Sequence, residues 1–156
     1  KSLLRHPLAV SSKEEFTNGK FEEIIADQFV KNFDKVKRII LTSGKVYYEL
    51  TKYREENNID DVPIIRLEQY YPFNHKKLKK YLDSYKNVEE IIWVQEEPKN
   101  MGAWNFIYTN FNEKIKYDIA LKYIGRPEAA SPAYGSAKIS NQWQKEIIKE
   151  AFTFNT

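Results

Sequence analysis

The feature that most constrains this chain is an alternation. Short runs of β-branched and apolar residues are separated by stretches in which apolar residues recur every three or four positions. Val36 to Thr42 contains Ile39-Ile40-Leu41, Val62 to Leu67 contains Ile64-Ile65, and Glu90 to Gln95 contains Ile91-Ile92-Trp93-Val94. Runs this short, with little internal alternation, suit strands covered on both faces, as in a parallel sheet. Asp118 to Ile124 does alternate, through Ile119, Leu121 and Tyr123. The intervening stretches carry helical spacing: Val46, Leu50 and Tyr53; then Leu78, Tyr81, Leu82 and Tyr85; then Trp104, Ile107, Tyr108, Phe111 and Ile115; last Ile139, Trp143, Ile147, Ile148 and Ala151. Strands alternating with helices predict an α/β fold, a three-layer α/β/α sandwich. Its parallel crossovers should be right-handed.

The first 35 residues are less regular and read as a lead-in. Ser11 or Ser12 stands where a helix cap belongs, and Phe21 to Ala26 is a candidate fifth strand. Pro98 ends the third strand region, and Ser84-Tyr85-Lys86-Asn87 is a polar exit from the second helix. A chain of 156 residues is one domain by size. It has no cysteine, which excludes disulfides, thiolate nucleophiles and cysteine-held metals. No apolar run approaches a membrane span, and no signal peptide is visible. The chain opens on Lys1 rather than Met, which reads as a fragment or a processed product.

Three groups of residues invite a functional reading. Ser43-Gly44-Lys45 falls between a strand and a helix, where open α/β sheets bind ligands and a helix start favours an anion. It is not a Walker loop, because the required first glycine would be Ile39. Either Gly44 relaxes a turn that Thr42 or Ser43 caps, or the run holds a phosphate-bearing effector such as a nucleotide or coenzyme A. Glu96-Glu97 is a carboxylate pair at another strand end, and Glu68 follows a third. Neighbours in a strand point to opposite faces, so Glu96 and Glu97 should not share a substrate. Arg126-Pro127 and Ser131-Pro132 bracket an ordered loop whose Ala129, Ala130 and Ala133 let another surface approach. Arg126 is expected to pair with a carboxylate such as Glu96 or Glu97 at a packed interface.

Other groups exclude more than they suggest. His6 and His75 lie far apart with no metal-ligand spacing, and there is no G-x-S-x-G turn. Neither a metal site nor a catalytic residue is expected. Lys76-Lys77-Leu78-Lys79-Lys80 surrounds an apolar stripe, so its lysines form a solvated helix face; Lys35-Lys37-Arg38 is a second basic cluster. A net charge of +3 is too mild to imply nucleic acid. The 23 aromatics could stack bases, but Trp104, Tyr108, Phe111 and Trp143 fall on helical stripes and are better explained as core.

Four runs together carry a resemblance: Lys1-Ser2-Leu3-Leu4-Arg5-His6-Pro7, Ser43-Gly44-Lys45-Val46-Tyr47-Tyr48, Ile92 through Trp104, and Arg126 through Gly135. Jointly they resemble the C-terminal domain of the thiamine-dependent 2-oxoglutarate dehydrogenase component, over nearly all 156 positions. The resemblance implies a five-stranded sheet whose first strand is antiparallel to the rest. It implies a larger multidomain subunit, a homodimer, that uses thiamine diphosphate and magnesium to decarboxylate 2-oxoglutarate. That subunit passes a succinyl group to a lipoyl-bearing dihydrolipoyl succinyltransferase. The Gly-Asp-Gly signature of diphosphate binding is absent from this chain, so no catalysis and no cofactor binding are expected of it alone. Expected partners are the N-terminal thiamine-binding domains, with acetyl-CoA or AMP as effector; no nucleic acid and no membrane are expected. The expected compartment is bacterial cytoplasm, or else the mitochondrial matrix. A free-standing effector module, or the matching domain of a pyruvate dehydrogenase or transketolase, is the alternative.

Overall fold

The computed structural model describes residues 3–132 and 135–154. Five strands form one sheet in the order β1-β3-β2-β4-β5. They are β1 (Ile24–Ile25), β2 (Arg38–Thr42), β3 (Ile64–Leu67), β4 (Glu90–Pro98) and β5 (Leu121–Arg126). Only β1 is antiparallel to its neighbour; every other pair is parallel. The α-helices are α1 (Lys13–Asn18), α2 (Val46–Glu56), α3 (His75–Leu82), α4 (Trp104–Asn110) and α5 (Ala137–Phe152). A π-helical turn, Phe111–Ile115, continues α4. Successive side chains of a strand point to opposite faces, so the sheet holds two cores. Ile39, Leu41, Ile91 and Trp93 join Leu78, Leu82, Trp104 and Ile107 of α3 and α4 on one face. Ile40, Ile64, Ile92 and Val94 join Leu50, Ile147 and Ala151 of α2 and α5 on the other. This is the expected three-layer α/β/α arrangement.

The sheet order places the site. From β2 the chain passes through α2 to β3 on one side, then returns through α3 to β4 on β2's other side. It moves on in the same direction through α4 to β5. The direction therefore reverses between β2 and β4, and a crevice opens there beyond their carboxyl ends.

Several elements differ from the sequence expectation. The strand expected over Phe21–Ala26 shrinks to Ile24–Ile25, because Asp27 turns inward to accept from the amides of Phe29 (2.9 Å) and Val30 (2.8 Å). Tyr85 lies beyond the end of α3, yet it is buried and packs on Phe33 at 4.7 Å. Neither Thr42 nor Ser43 caps α2: Lys45 holds the cap position without a side-chain bond, and the Thr42 hydroxyl donates to the Val94 carbonyl at 2.9 Å. Tyr108 and Ile139 are exposed and Trp143 is half-buried, so the outer ends of two apolar stripes are not core. Ser12 does cap α1, in a reciprocal capping box with Glu15.

The second basic cluster dissolves on folding. Arg38 is buried, ion-paired to Glu90, and donates to the carbonyls of Glu150 (3.1 Å) and Ala151 (2.9 Å). It closes the C-terminal end of α5, where orphan carbonyls and the helix dipole both favour a cation. Arg54 is similarly buried against Asp27 and donates to the Val62 carbonyl at 3.2 Å. Neither buried pair is visible as a sequence pattern, since its partners come from distant elements.

Candidate functional site

The carboxyl edge of the sheet carries two clefts, one on each face. Gln95 builds the loop between them. Its amide oxygen accepts from Trp93 Nε1 (2.8 Å) and from the Trp104 amide (3.0 Å). Its amide nitrogen donates to the carbonyls of Glu97 (3.2 Å), Pro98 (3.1 Å) and Met101 (2.8 Å). One buried side chain thus ties the end of β4, the following loop and the start of α4. Gly102 sits above it at φ +65°, and a Cβ there would come within 2.9 Å of the Gln95 amide nitrogen. Only glycine combines that dihedral with that approach. Gln95 was not singled out in the sequence, although a lone amide ending an apolar strand run before Pro98 and Gly102 was a readable signal.

Glu96 and Glu97 fall to opposite sides, as the strand pleat requires. Glu96 reaches Lys45 at 3.4 Å, and Lys45 also holds Glu49 at 2.5 Å. Burial works against the Lys45 charge, but the hydrogen bond and field of Glu49 and the field of Glu96 outweigh it and hold the ammonium above its ordinary range. These residues line a cleft of about 680 Å³ between α2 and α5, with Arg126, Ser140 and Gln144. Arg126 is buried there and donates to the Ser140 hydroxyl at 3.2 Å. Glu96 takes Lys45 as its ion-pair partner, and Arg126 turns toward α5.

Glu97 lies on the other side, in a cleft of about 490 Å³ with Ser43, Gly44, Tyr70, Gly102 and Phe106. This is the crevice at the reversal between β2 and β4. Gly44, at φ +72°, turns the chain out of β2. The structure therefore divides Ser43-Gly44-Lys45: the first two line one cleft and Lys45 lines the other. Tyr70 is pushed above its ordinary range by burial, which a bond with Ser43 partly offsets and the fields of Glu97 and Glu68 reinforce. Glu68 pairs with Arg66 at 2.9 Å.

The proline-bracketed loop is anchored by Asn100, which donates to the Ala129 carbonyl (3.0 Å) and accepts from the Ala129 amide (3.1 Å). Residues 127–132 hold neither helix nor strand; Ala133 lies outside the described residues. Tyr123 folds back so that its hydroxyl donates between the carbonyls of Glu97 (3.0 Å) and Arg126 (2.8 Å). His75 begins α3 behind the cap Asn74. Lys77 and Lys79 on the same helix pair with Glu22 and Asp83. Among the described residues no three His, Asp or Glu side chains stand close enough to hold a metal, and no helix is long and apolar enough to cross a membrane.

Comparison with known proteins adds the family context. Residues 10–152 match the family model described as 2-oxoglutarate dehydrogenase C-terminal. The chain is 47% identical over 154 residues to the 2-oxoglutarate dehydrogenase E1 component of Haemophilus influenzae, covering 99% of this chain and 16% of that protein. It is 43% identical over 155 residues to the E1 component of Rickettsia felis, again spanning 16% of the relative's length. Among solved structures, a split-gene transketolase described as an inactive beta4 tetramer aligns with a TM-score of 0.57 at 12% identity. That alignment covers 85% of this chain and 41% of that one, and it supports the fold alone.

Proposed function

From the premise that this chain belongs to the 2-oxoglutarate dehydrogenase C-terminal family, we propose that it is the non-catalytic C-terminal domain of a thiamine diphosphate-dependent 2-oxoglutarate dehydrogenase subunit. Thiamine diphosphate and magnesium supply the decarboxylation chemistry of such a subunit, and they belong to its other domains. This domain's task is assembly. Its carboxyl edge packs against the thiamine-binding domains and supports the homodimer, which hands a succinyl group to the lipoyl arm of dihydrolipoyl succinyltransferase. The compartment consistent with the bacterial relatives is the cytoplasm.

The observation that supports this reading is the build of the carboxyl edge. Gln95, Asn100, Tyr123 and Arg126 fix its loops by hydrogen bonds, yet the edge keeps two open clefts. Rigid loops around unfilled surface suit docking. Two assays test it. The isolated chain, given thiamine diphosphate, magnesium and 2-oxoglutarate, should release no carbon dioxide. A full-length subunit lacking these residues should lose its dimer in sedimentation velocity. Turnover by the isolated chain, or a normal dimer without it, would overturn the reading.

A regulatory role is favoured by a second observation. Lys45, Lys52, Lys145, Lys149 and Arg126 surround the cleft between α2 and α5, against the carboxylates of Glu49, Glu56 and Glu96. That cationic excess suits a phosphate-bearing effector such as acetyl-CoA or AMP, with Lys45 its first contact, rather than Ser43 and Gly44. A ligand at 100 times its dissociation constant should stabilise the chain by about 2.7 kcal/mol. A thermal unfolding curve unmoved by either compound would remove this role from the isolated domain.

A further inference from the structure

The crevice beside β2 and β4 carries a chemistry that the assembly reading does not use. Tyr70 and Phe106 meet at 6.2 Å between ring centroids, tilted by 49°, and Trp93 backs Tyr70 at 6.5 Å. Tyr70 and Phe106 are each 36% exposed, so this aromatic corner is open on one side. Glu97 lines the same cleft. Its neighbours Glu96 and Glu68 are ion-paired, to Lys45 and Arg66, whereas Glu97 has no ion-pair partner among the described residues. Among the described residues no Lys or Arg lines this cleft. Both charges that bear on the Tyr70 hydroxyl, those of Glu97 and Glu68, are negative.

These features select among ligands. An anion meets an uncompensated carboxylate and is repelled. A neutral apolar group gains the rings but must desolvate Glu97 without pairing it. A cation gains both, because the faces of aromatic rings are negative and attract it, and Glu97 neutralises it. A weakly hydrated organic cation loses least on leaving water. The cleft also lies where the chain direction reverses, the usual ligand position in an open α/β sheet. We propose that this cleft binds an alkylammonium or guanidinium group, held over Tyr70 and Phe106 and against Glu97. The group has two sources with one chemistry: a free small molecule, or a Lys or Arg side chain presented by another part of an assembled subunit.

The test is an NMR titration of the isotope-labelled chain with tetramethylammonium and N-methylguanidinium chlorides at constant ionic strength. Saturable shifts should be confined to Tyr70, Phe106 and the Gly102 turn. The neutral isostere tert-butanol should bind roughly tenfold more weakly, and Glu97→Gln should weaken the cations roughly tenfold. Glu97 is exposed, so that variant keeps its fold; Phe106→Leu, which keeps apolar bulk but removes the ring, should also weaken binding. Equal binding of the neutral isostere, an unchanged affinity in Glu97→Gln, or no saturable shift would overturn the proposal. The same titration in a full-length subunit separates the sources. A probe that still binds marks a free cation. A probe shut out by a Lys or Arg lying on Glu97 in the subunit's structure marks a side chain, and closure by neutral or acidic groups would overturn the proposal.

Discussion

At the scale of single residues, Gln95 concentrates more of the site than any side chain chosen from sequence. Replacing it with Leu keeps the bulk but strands the Trp93 indole N–H and the Trp104 amide and takes a donor from the Met101 carbonyl, while the Glu97 and Pro98 carbonyls keep Tyr123 and the Met101 amide. The expected cost is roughly 3 kcal/mol, read as a lower urea midpoint. Tyr123 makes a second prediction. Burial pushes its hydroxyl up to about 12, and burial does the same for Tyr85. Both are neutral in the folded state, while in the unfolded chain they ionise near pH 10. A raised folded pKa contributes stability that is whole below pH 10 and is lost as pH climbs toward 12. Unfolding followed across that window should show falling stability, and Tyr123→Phe should flatten part of the fall. Sequence reasoning placed Glu96 and Glu97 on opposite sides because strand geometry is local. It missed Gln95, Arg38 and Arg54 because their partners are brought in by tertiary folding.

At the scale of elements, the helices differ sharply in what holds them. Trp104 anchors α4 against the sheet at 7% exposure, whereas α1 buries none of its residues and leaves Phe16 87% exposed. Trp104→Ala should therefore cost about 3–5 kcal/mol. Phe16→Ser should stay within about 0.5 kcal/mol in the isolated chain. Denaturant melts of the two variants compare them directly; equal effects would mean that α1 packs on something in solution. At the far end of the sheet, β2 and β4 hold Arg38 and Glu90 side by side. Burial opposes the Glu90 charge, but the hydrogen bond from Lys122 and the charge of Arg38 prevail and hold its carboxyl below the usual range. A depressed folded pKa gives stability present above the unfolded value, near pH 4.3, and lost as pH falls through the folded one. Acid should thus loosen the end of α5 that Arg38 closes. An Arg38→Met chain, whose unfolding is less steep in acid, would show the link. Strands were legible to within a few residues because apolar runs mark them. Helix ends were not, since Tyr85 kept the apolar period beyond the end of α3 and is buried there against Phe33.

At the scale of the whole molecule, one sheet divides two cores, and neither can persist without it. Once Trp143 of α5 is replaced by Phe, Trp93 and Trp104 report on one face, while α5 contributes its helical signal from the other. Tryptophan fluorescence and far-ultraviolet circular dichroism should therefore trace one coincident transition in urea. Two separated midpoints would show that the α2–α5 layer opens on its own. The fold class followed from periodicity alone, but the order of strands did not. Spacing says that strands alternate with helices; only the assembled sheet shows that β2 and β4 are neighbours and where the direction reverses.

The pleat of β4 acts as a partition. With Glu96 and Glu97 consecutive on one strand, parity decides which room each carboxylate enters. A substitution there changes one cleft and spares the other. A single-residue insertion or deletion between Trp93 and Glu96 would send each carboxylate through the wrong door, turning Glu97 toward Lys45 and Glu96 toward the aromatic corner. The run is therefore restricted in its count of residues even where it tolerates change in their kind, and length polymorphism there should be far rarer than in the loop that follows Arg126.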